Sequence, residues 1–283
     1  MRVGVIVPMT TESRVLFQMR EFSHRQPLGL FEVHERNEGA HTLGVLVGGI
    51  GMVNTAMSTQ ALLSGWKPDI VALVGCAGGL DEDLLPGDVI IGRDLCCYSN
   101  FATAPDGSVN LDVLGLRVGT DYTLTEDRSD FAKAARTKHR YIHSTPSLVE
   151  AALAAGEECR DTFHRWPTEI VQTFTTSKFG QRAPKCSAGV IGTADQINSD
   201  PKVIAEIRER FGLDAEECEG VALGQVALSH QKPFVVIRGI SDNEVVDPFL
   251  GEFLRSNKSG LDSVEVESTR NAWLVFLTML GHL

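Results

Sequence analysis

Apolar and polar positions alternate along this chain in two periods, one typical of buried strands and the other of amphipathic helices. Nearly continuous apolar runs, of the length expected for strands buried on both faces, occupy residues 3–7, 69–75, 89–92, 189–192 and 233–240. Helical spacing or helix-start signals follow these runs, near residues 10–19, 53–63, 145–159, 200–212, 219–230 and 264–280. Because strands and helices alternate without a linker of biased composition, the pattern predicts one α/β domain with a mostly parallel central sheet.

Glycine-rich turns follow several of the predicted strands. They lie at residues 48–51, 75–79 and 192–193. Glycine lets the backbone approach a ligand closely, so several such turns predict a pocket assembled from distant segments. A dinucleotide-binding fingerprint is incomplete, because Asn54 stands where its last glycine is needed, and the phosphate-binding P-loop pattern does not occur.

The middle of the chain has a weaker pattern. Residues 30–35 and 42–47 form two strand-like runs around the turn signal Asn37-Glu38-Gly39. Residues 99–140 are rich in Asp, Arg, Thr and Gly, which favours a long loop or an inserted hairpin region. We therefore expect a single domain over residues 1–283, with an atypical extended segment at about 99–187 that covers the pocket or extends an interface.

Composition and charge exclude some classes of function. Of the 283 residues, 43% are hydrophobic and the formal net charge is −11, so the chain can bury a core while its field repels nucleic acid. A small anion could still bind at a local arginine cluster. No apolar run reaches the roughly 18 residues of a membrane helix, and the first residues resemble a strand rather than a signal peptide, so we expect a soluble cytoplasmic protein. Neither the six cysteines nor the eight histidines have metal-ligand spacing, so no metal or other cofactor is expected.

Acidic residues stand at the ends of several predicted strands. Glu12 follows the first strand, Glu219 begins a helix, and Asp242 follows the last buried strand, with Arg238 on that strand. Ligands of α/β sheets gather beyond the carboxyl ends of strands, where such acids could exchange protons and bind hydroxyls during cleavage of a glycosidic bond. The alternatives are that Glu12 and Glu219 are first-turn helix acids, that Ser241 or Asp242 caps a following helix, and that Arg238 is an ordinary paired arginine.

Six short segments, in this order and at this spacing, resemble the nucleoside phosphorylase/nucleosidase superfamily. They are Pro8-Met9-Thr10-Thr11-Glu12, Gly49-Ile50-Gly51-Met52-Val53-Asn54, Gly75-Cys76-Ala77-Gly78-Gly79-Leu80, Pro86-Gly87-Asp88-Val89, Glu217-Cys218-Glu219-Gly220 and Arg238-Gly239-Ile240-Ser241-Asp242. The resemblance is strongest to the methylthioadenosine/S-adenosylhomocysteine nucleosidases, and it covers residues 1–98 and 188–283. It implies a three-layer αβα domain around a twisted, mixed sheet.

The resemblance also implies a reaction and the residues that perform it. Asp242, held by Ser241, would protonate N7 of a departing purine, and burial of Asp242 should favour its neutral form. Glu12 would take a proton from the attacking water with Arg238 nearby, and Glu219 would bind the ribose hydroxyls. Further substrate contacts would come from the following residues: Ile50, Cys76, Ala77, Gly78, Gln196, Ile197 and Cys218.

Three positions depart from the pattern of that family. Cys76 stands where the family usually has serine, Cys218 where it has methionine, and Gln196 where it has the phenylalanine that stacks on the base. Asp195, beside Gln196, could recognise the purine or could be a loop acid. The base and the 5′ substituent therefore stay open.

Two other functions remain as alternatives. A purine nucleoside phosphorylase would use phosphate as the nucleophile; no arginine lies within residues 50–80, although Arg36 or Arg93 could act from a neighbouring subunit. A non-catalytic nucleoside-binding relative has no need for all three acids. The resemblance further implies a homodimer, a purine nucleoside as the small-molecule partner with neither nucleic acid nor membrane as a partner, and a role in methionine salvage.

Overall fold

In the computed structural model, the described residues are 1–100, 102–103, 105–106, 109–110, 140–165, 182–246 and 258–283, the last range without side chains before residue 266. The central sheet has ten strands. They are β1 (Arg2–Val7), β2 (His24–Leu28), β3 (Phe31–Glu38), β4 (His41–Val47), β5 (Ile70–Gly79), β6 (Val89–Cys97), β9 (Ile142–His143), β10 (Cys186–Thr193), β11 (Ala215–Glu217) and β12 (Phe234–Asp242), while β7 (Ala102–Thr103) and β8 (Val109–Asn110) pair separately.

The strand order is β11-β10-β6-β12-β5-β1-β4-β3-β2, with β9 beside β6. Strand β5 runs parallel to β1 and to β12, whereas β12 and β6 are antiparallel. Strand β11 also pairs with the end of β5, so the sheet curls back on itself at that edge. The sheet is therefore mixed, as the family resemblance implies, rather than mostly parallel as the apolar runs alone predict.

Helices cover both faces of this sheet. They are α1 (Thr10–Met19), α2 (Met52–Ala61), α3 (Pro146–Glu158), α4 (Pro201–Phe211), α5 (Gly220–Ser229) and α6 (Lys258–Met279), with a π-helical turn at Leu62–Trp66. Helices α1, α3 and α6 pack with the odd-numbered side chains of β1, and α2 and α5 cover the opposite face around Ile6. This arrangement confirms the predicted three-layer α/β fold, since strands with nearly every side chain buried need cover on both faces.

Local sequence signals account for several helix ends. Helix α4 begins with Pro201 after Asp200, whose side chain accepts a hydrogen bond from the Lys202 N–H at 2.9 Å. It ends at Gly212, whose φ of 66° is the left-handed conformation that glycine adopts without strain. The prediction of a long loop or inserted hairpin at residues 99–140 falls mostly outside the described residues, although the two-residue strands β7 and β8 pair there.

In the part of the chain that the structure describes, no helix is long and apolar enough to cross a membrane.

Candidate active site

One edge of the sheet collects the predicted acidic residues. Strands β1, β5 and β12 are parallel neighbours, so their carboxyl ends lie at the same edge. Helix α1 starts there after β1, β12 ends there in Ser241-Asp242, and the final residues of β5 run between them. The segment 75–79, predicted as a turn, is instead the end of β5 itself.

Glu12 lies in the first turn of α1 and is almost completely buried. One carboxylate oxygen accepts a hydrogen bond from the Met9 N–H at 2.8 Å, as a helix-capping acid does. The other accepts from the Cys76 N–H at 2.7 Å, which fixes the side chain against β5. Burial raises the pKa of Glu12 to about 7, against the opposing effects of Arg238 and the Cys76 N–H. Glu12 therefore caps its helix, as the first-turn alternative predicts, and its pKa of about 7 is also compatible with proton exchange near neutral pH.

Gly75 makes room for this arrangement. A β-carbon at residue 75 would lie 2.5 Å from Glu12 Oε1 and would also overlap Arg238 Nη1. A larger residue would therefore separate the carboxylate from the guanidinium, so the glycine is required by the close approach of these two side chains.

Arg238 is fully buried in β12 and carries the positive charge of the site. Its Nη2 donates to Glu219 Oε2 at 2.8 Å and to Glu217 Oε2 at a shorter distance, and its Nη1 lies 3.8 Å from Glu12 Oε1. Burial by itself would lower the pKa of Arg238, but Glu217, Glu219 and Glu12 together raise it above the ordinary value. Arg238 is thus a paired arginine, and it joins the predicted acids Glu12 and Glu219 in one cluster.

Glu217 is a member of this cluster that sequence reasoning did not assign. Its carboxylate accepts from the N–H groups of Glu219 at 3.0 Å and of Gly220 at 2.8 Å, at the start of α5, and from the Thr193 hydroxyl. The capping acid of α5 is therefore Glu217, two residues before the acid that the helix-start pattern suggested. The signal was present in the sequence as three acids at 216, 217 and 219 before an apolar helix.

Because Glu217 caps α5, the Glu219 side chain makes other contacts and faces the glycine turn after β4. Its Oε1 accepts from the Gly51 N–H at 2.8 Å while Oε2 accepts from Arg238. Burial raises the pKa of Glu219, and Arg238 opposes that shift. The positive φ of 94° at Gly51 turns this N–H toward the carboxylate.

Asp242 ends β12 beside Gly78 of β5 and is half-buried. The Ser241 hydroxyl lies 2.5 Å from Asp242 Oδ2 and 3.2 Å from the backbone oxygen of Ala77. Neither Ser241 nor Asp242 begins a described helix, since both belong to the strand and a turn at residues 244–246 follows. The helix-cap alternative is therefore wrong for the residues that the structure describes.

An open cavity of about 560 Å³ lies against Gly51, whose N–H contacts Glu219. Four predicted substrate-binding residues line it: Ile50, Gln196, Ile197 and Cys218. Five other predicted site residues lie outside this lining, at the end of β5 or beside it: Cys76, Ala77, Gly78, Glu12 and Asp242. Its volume is in the range of small-molecule sites.

Asp195 has a structural contact in this wall. Its carboxylate accepts from the Met52 N–H at 2.7 Å, at the first turn of α2, so it joins the loop after β10 to that helix. The Cys218 thiol lies 3.8 Å from the Gln196 backbone oxygen, and burial raises the pKa of Cys218 to about 12. Cys218 is therefore a neutral thiol at physiological pH.

Within the described ranges, no group of three or more His, Cys, Asp or Glu side chains is arranged to hold a metal ion.

Comparison with known proteins shows the family of this chain. The model of the phosphorylase superfamily matches residues 2–259. The 5′-methylthioadenosine/S-adenosylhomocysteine nucleosidase of Bacillus cereus (strain G9842) is 30% identical over 243 residues, which cover 86% of each chain. The enzyme of the same name from Bacillus anthracis (strain A0248) has the same identity and coverage.

Solved structures share the fold at lower identity. The 5′-methylthioadenosine/S-adenosylhomocysteine nucleosidase of Neisseria meningitidis, in complex with methylthio-immucillin-A, covers all of this chain and 99% of its own, with a TM-score of 0.68 and 24% identity. The futalosine hydrolase of Helicobacter pylori covers all of this chain and 98% of its own, with a TM-score of 0.69 and 17% identity. The motifs, the fold and these similarities agree, and the chain belongs to the phosphorylase superfamily.

Proposed function

We propose that this protein is a purine nucleosidase, which hydrolyses the N-ribosidic bond of methylthioadenosine- or S-adenosylhomocysteine-like nucleosides to a free base and a ribose derivative. The similarity to the nucleosidases supports a hydrolase that cleaves N-glycosyl bonds. The observation that carries the proposal is the buried cluster of Glu12, Arg238 and Glu219 at the sheet edge where Asp242 ends β12. A proton acceptor, a hydroxyl-binding carboxylate and a proton donor are the groups that such a hydrolysis needs.

Water activation is assigned to Glu12 and Arg238. The 3.8 Å between Arg238 Nη1 and Glu12 Oε1 is too long for a hydrogen bond, and among the described residues Nη1 has no hydrogen-bond partner. A water molecule beside this pair would accept from Nη1 and give its proton to Glu12 as it attacks the anomeric carbon. The raised pKa of Glu12, about 7, suits a base that takes a proton in the transition state.

Departure of the base is assigned to Asp242. Its carboxyl beside Gly78 would donate a proton to N7, and the Ser241 hydroxyl would fix the orientation of that carboxyl. Protonation turns the purine into a better leaving group as the ribose gains positive charge.

The sugar is assigned to Glu219 and the open cavity. Glu219 accepts a hydrogen bond from Arg238 and would accept further hydrogen bonds from the ribose hydroxyls, which place the anomeric carbon near Glu12. The apolar wall at Ile50, Ile197 and Cys218 would hold the base and the 5′ substituent, with the backbone of Ile197 at the purine edge.

Phosphorolysis is less well supported than hydrolysis by the charges of the cluster. Three carboxylates surround one guanidinium, and that guanidinium is already paired with Glu217 and Glu219. The arginines considered as phosphate ligands are paired elsewhere, Arg36 with Glu38 at 2.7 Å and Arg93 with Asp94 at 2.9 Å. An incoming phosphate dianion would meet net negative charge, whereas water would not.

A nucleoside panel tests the reaction. The protein would be incubated with methylthioadenosine, S-adenosylhomocysteine, adenosine and inosine, with and without phosphate, and the released base measured by chromatography. We expect free adenine without phosphate. Release only with phosphate would identify a phosphorylase, and no release from any nucleoside despite measurable binding would identify a non-catalytic relative.

Single substitutions test the two proton-transfer residues. Asp242→Asn and Glu12→Gln should each lower kcat by at least about 100-fold while substrate binding is kept, because each removes one proton transfer. Asp83→Asn, which changes an acid exposed at the surface after β5, is the control and should leave kcat unchanged. Turnover near the wild-type rate in either site variant would rule out that residue's role.

A homodimer is also proposed, because apolar side chains at the rim of the cavity are exposed. Val53 is 68% exposed and Ile197 87% exposed, and Ile50 and Met57 beside them are also exposed. A second copy of the chain seated here would bury this patch and close the cavity. Sedimentation should show a dimer that Val53→Glu dissociates, whereas Leu30→Glu, at an equally exposed apolar residue between β2 and β3, should not affect it. A monomeric wild type would contradict the assignment.

With these substrates the protein would work in the cytoplasm in methionine salvage. Fractionation of the native source cells, with nucleosidase activity as the readout, checks that location.

A further inference from the structure

A second carboxyl lies beside Asp242. Glu216 is the middle residue of β11, and β11 pairs with β5 so that Glu216 is opposite Gly78. Asp242 is opposite the same glycine from β12, on the other side of β5. The two acids therefore flank one residue that has no side chain.

The absence of a side chain at Gly78 brings these carboxyls together. The position that a β-carbon of residue 78 would take lies 3.3 Å from Asp242 Oδ1 and 3.7 Å from Glu216 Cγ, so at most about 7 Å separates those two atoms. Both side chains are on the same face of β5, and Glu216 is buried. At such a separation two negative charges repel each other, and the burial of Glu216 reduces the screening by solvent.

Glu216 is held in an orientation that favours its ionised form. Tyr98 donates its hydroxyl to Glu216 Oε2 at 2.8 Å, and Asn198 Nδ2 donates to the same oxygen at 2.6 Å. Burial raises the pKa of Glu216, and these donors oppose that shift. A carboxylate with two fixed donors on one oxygen is the member of the pair that keeps its negative charge.

Asp242 has a partner that fits its neutral form. The Ser241 oxygen is within hydrogen-bond distance of the Ala77 carbonyl, which can only accept, and of Asp242 Oδ2. When the hydroxyl proton points to the carbonyl, the contact with Asp242 is a hydrogen bond only if Asp242 carries the proton.

From this geometry we infer that Glu216 is a positioning residue for the proposed reaction, whose negative charge keeps a proton on Asp242 for transfer to the leaving base. The inference rests on the proposed function, in which Asp242 is the acid. Glu216 itself acts through Asp242 and exchanges no proton with the substrate.

Ionisable groups face this pair from several elements. Tyr98 directly follows β6, Cys218 follows β11 and Glu244 lies buried in the turn after β12. Burial raises the pKa of Tyr98 and of Cys218, the latter to about 12, so both are uncharged between pH 6 and 9. Glu217, the next residue of β11, contacts Arg238, so the charge of β11 opposite Gly78 is that of Glu216.

The test compares the pH dependence of kcat for wild type and Glu216→Gln with saturating methylthioadenosine. An acid must be protonated to act, so kcat falls as the pH rises through the pKa of Asp242. Glutamine keeps an acceptor for Tyr98 and Asn198 but removes the charge. The fall in kcat at high pH, the basic limb of the profile, should therefore begin about 1 to 2 pH units lower. Glu216→Asp keeps the charge, so its kcat should fall within about half a pH unit of the wild-type position. A lower kcat in Glu216→Gln with an unmoved limb would overturn the inference.

A second readout does not depend on turnover. Carbon-13 NMR of aspartate carboxyls, assigned with Asp242→Asn, measures the pKa of Asp242 directly in wild type and in Glu216→Gln. A fall of about 1 to 2 units in the glutamine variant supports the inference, and equal values overturn it. Wild-type protein that releases no base, yet shows the shift, would refute the proposed function and leave the carboxyl pair established.

Tyr98→Phe provides a variant with Glu216 in place if the glutamine protein does not fold. Loss of the hydroxyl donor makes the ionised form of Glu216 less favourable, so the pKa of Asp242 should fall in the same direction by a smaller amount. No shift, or a rise, in a folded Tyr98→Phe protein contradicts the inference.

Discussion

The pH dependence of turnover tests the proposed role of Glu12, because burial raises the pKa of this carboxyl from 4.5 to about 7. A shift of that size makes ionisation less favourable by about 3 kcal/mol. A general base acts in its ionised form, so activity is lost as the pH falls through the pKa. At pH 6 only about a tenth of Glu12 would be ionised, and at pH 5 about a hundredth.

The assay is kcat/KM for methylthioadenosine between pH 5 and 8 in phosphate-free buffers of constant ionic strength. This parameter reports the free enzyme, to which the pKa of about 7 belongs. We expect a plateau above pH 7.5 and a tenfold fall per pH unit below about 6.5. Recovery of full activity after return to pH 8 excludes acid unfolding as the cause.

Glu219 also has a raised pKa, so the fall in kcat/KM at low pH must be assigned to one of the two acids. The negative charge of Glu219 contributes to the raised pKa of Glu12. In Glu219→Gln the fall in kcat/KM should therefore persist at a slightly lower pH, and KM should be higher because the proposed ribose contact is lost. The assignment to Glu12 would be refuted if kcat/KM no longer fell at low pH in Glu219→Gln, or if the wild-type fall were centred near pH 4.5.

Two further predictions concern the cluster around Arg238. Arg238→Met should lower the free energy of unfolding in urea by about 3 to 5 kcal/mol, because it leaves buried carboxylates without their cation. The control Arg208→Met, which breaks a half-exposed pair with Asp81, should cost at most about 1 kcal/mol, and an equal loss in both would contradict the pairing. Gly75→Ala should lower kcat/KM by at least about tenfold, because its methyl group would lie 2.5 Å from Glu12 Oε1. Gly281→Ala, where no atom lies within 4 Å, is its control, and wild-type kinetics for Gly75→Ala would disprove the close approach.

The fold was predictable wherever local sequence decides the structure. The apolar run at 233–240 became β12, and the proline start and glycine stop of α4 were observed at Pro201 and Gly212. Strand β2 was not predicted, because its sequence His24-Arg-Gln-Pro-Leu28 has no buried face and it is held by pairing with β3 at the sheet edge. Strand β11 was missed for a related reason, since three residues with two acids form a strand only when β10 and β5 lie on both sides.

The site was predictable to the level of residue types at strand ends, and no further. Position after a strand identified Glu12 and Asp242, but the distances that join Glu12 to Arg238 depend on the register between β5 and β12. Tertiary packing likewise decides that Glu219 contacts Gly51, whereas Glu217 caps α5. A pattern of three nearby acids cannot show which one satisfies the helix and which one faces a ligand.

The charges of this cluster explain why the proposed active site needs a buried arginine. Glu12, Glu217 and Glu219 are all buried at the end of β5, and without Arg238 each would meet the repulsion of the others. Arg238 donates hydrogen bonds to Glu217 and Glu219 but only approaches Glu12, whose pKa of about 7 leaves it able to take up a proton near neutral pH. One cation that contacts two carboxylates and only approaches the third thus gives them different roles in the proposed reaction. The remaining negative charge favours a neutral nucleophile over phosphate.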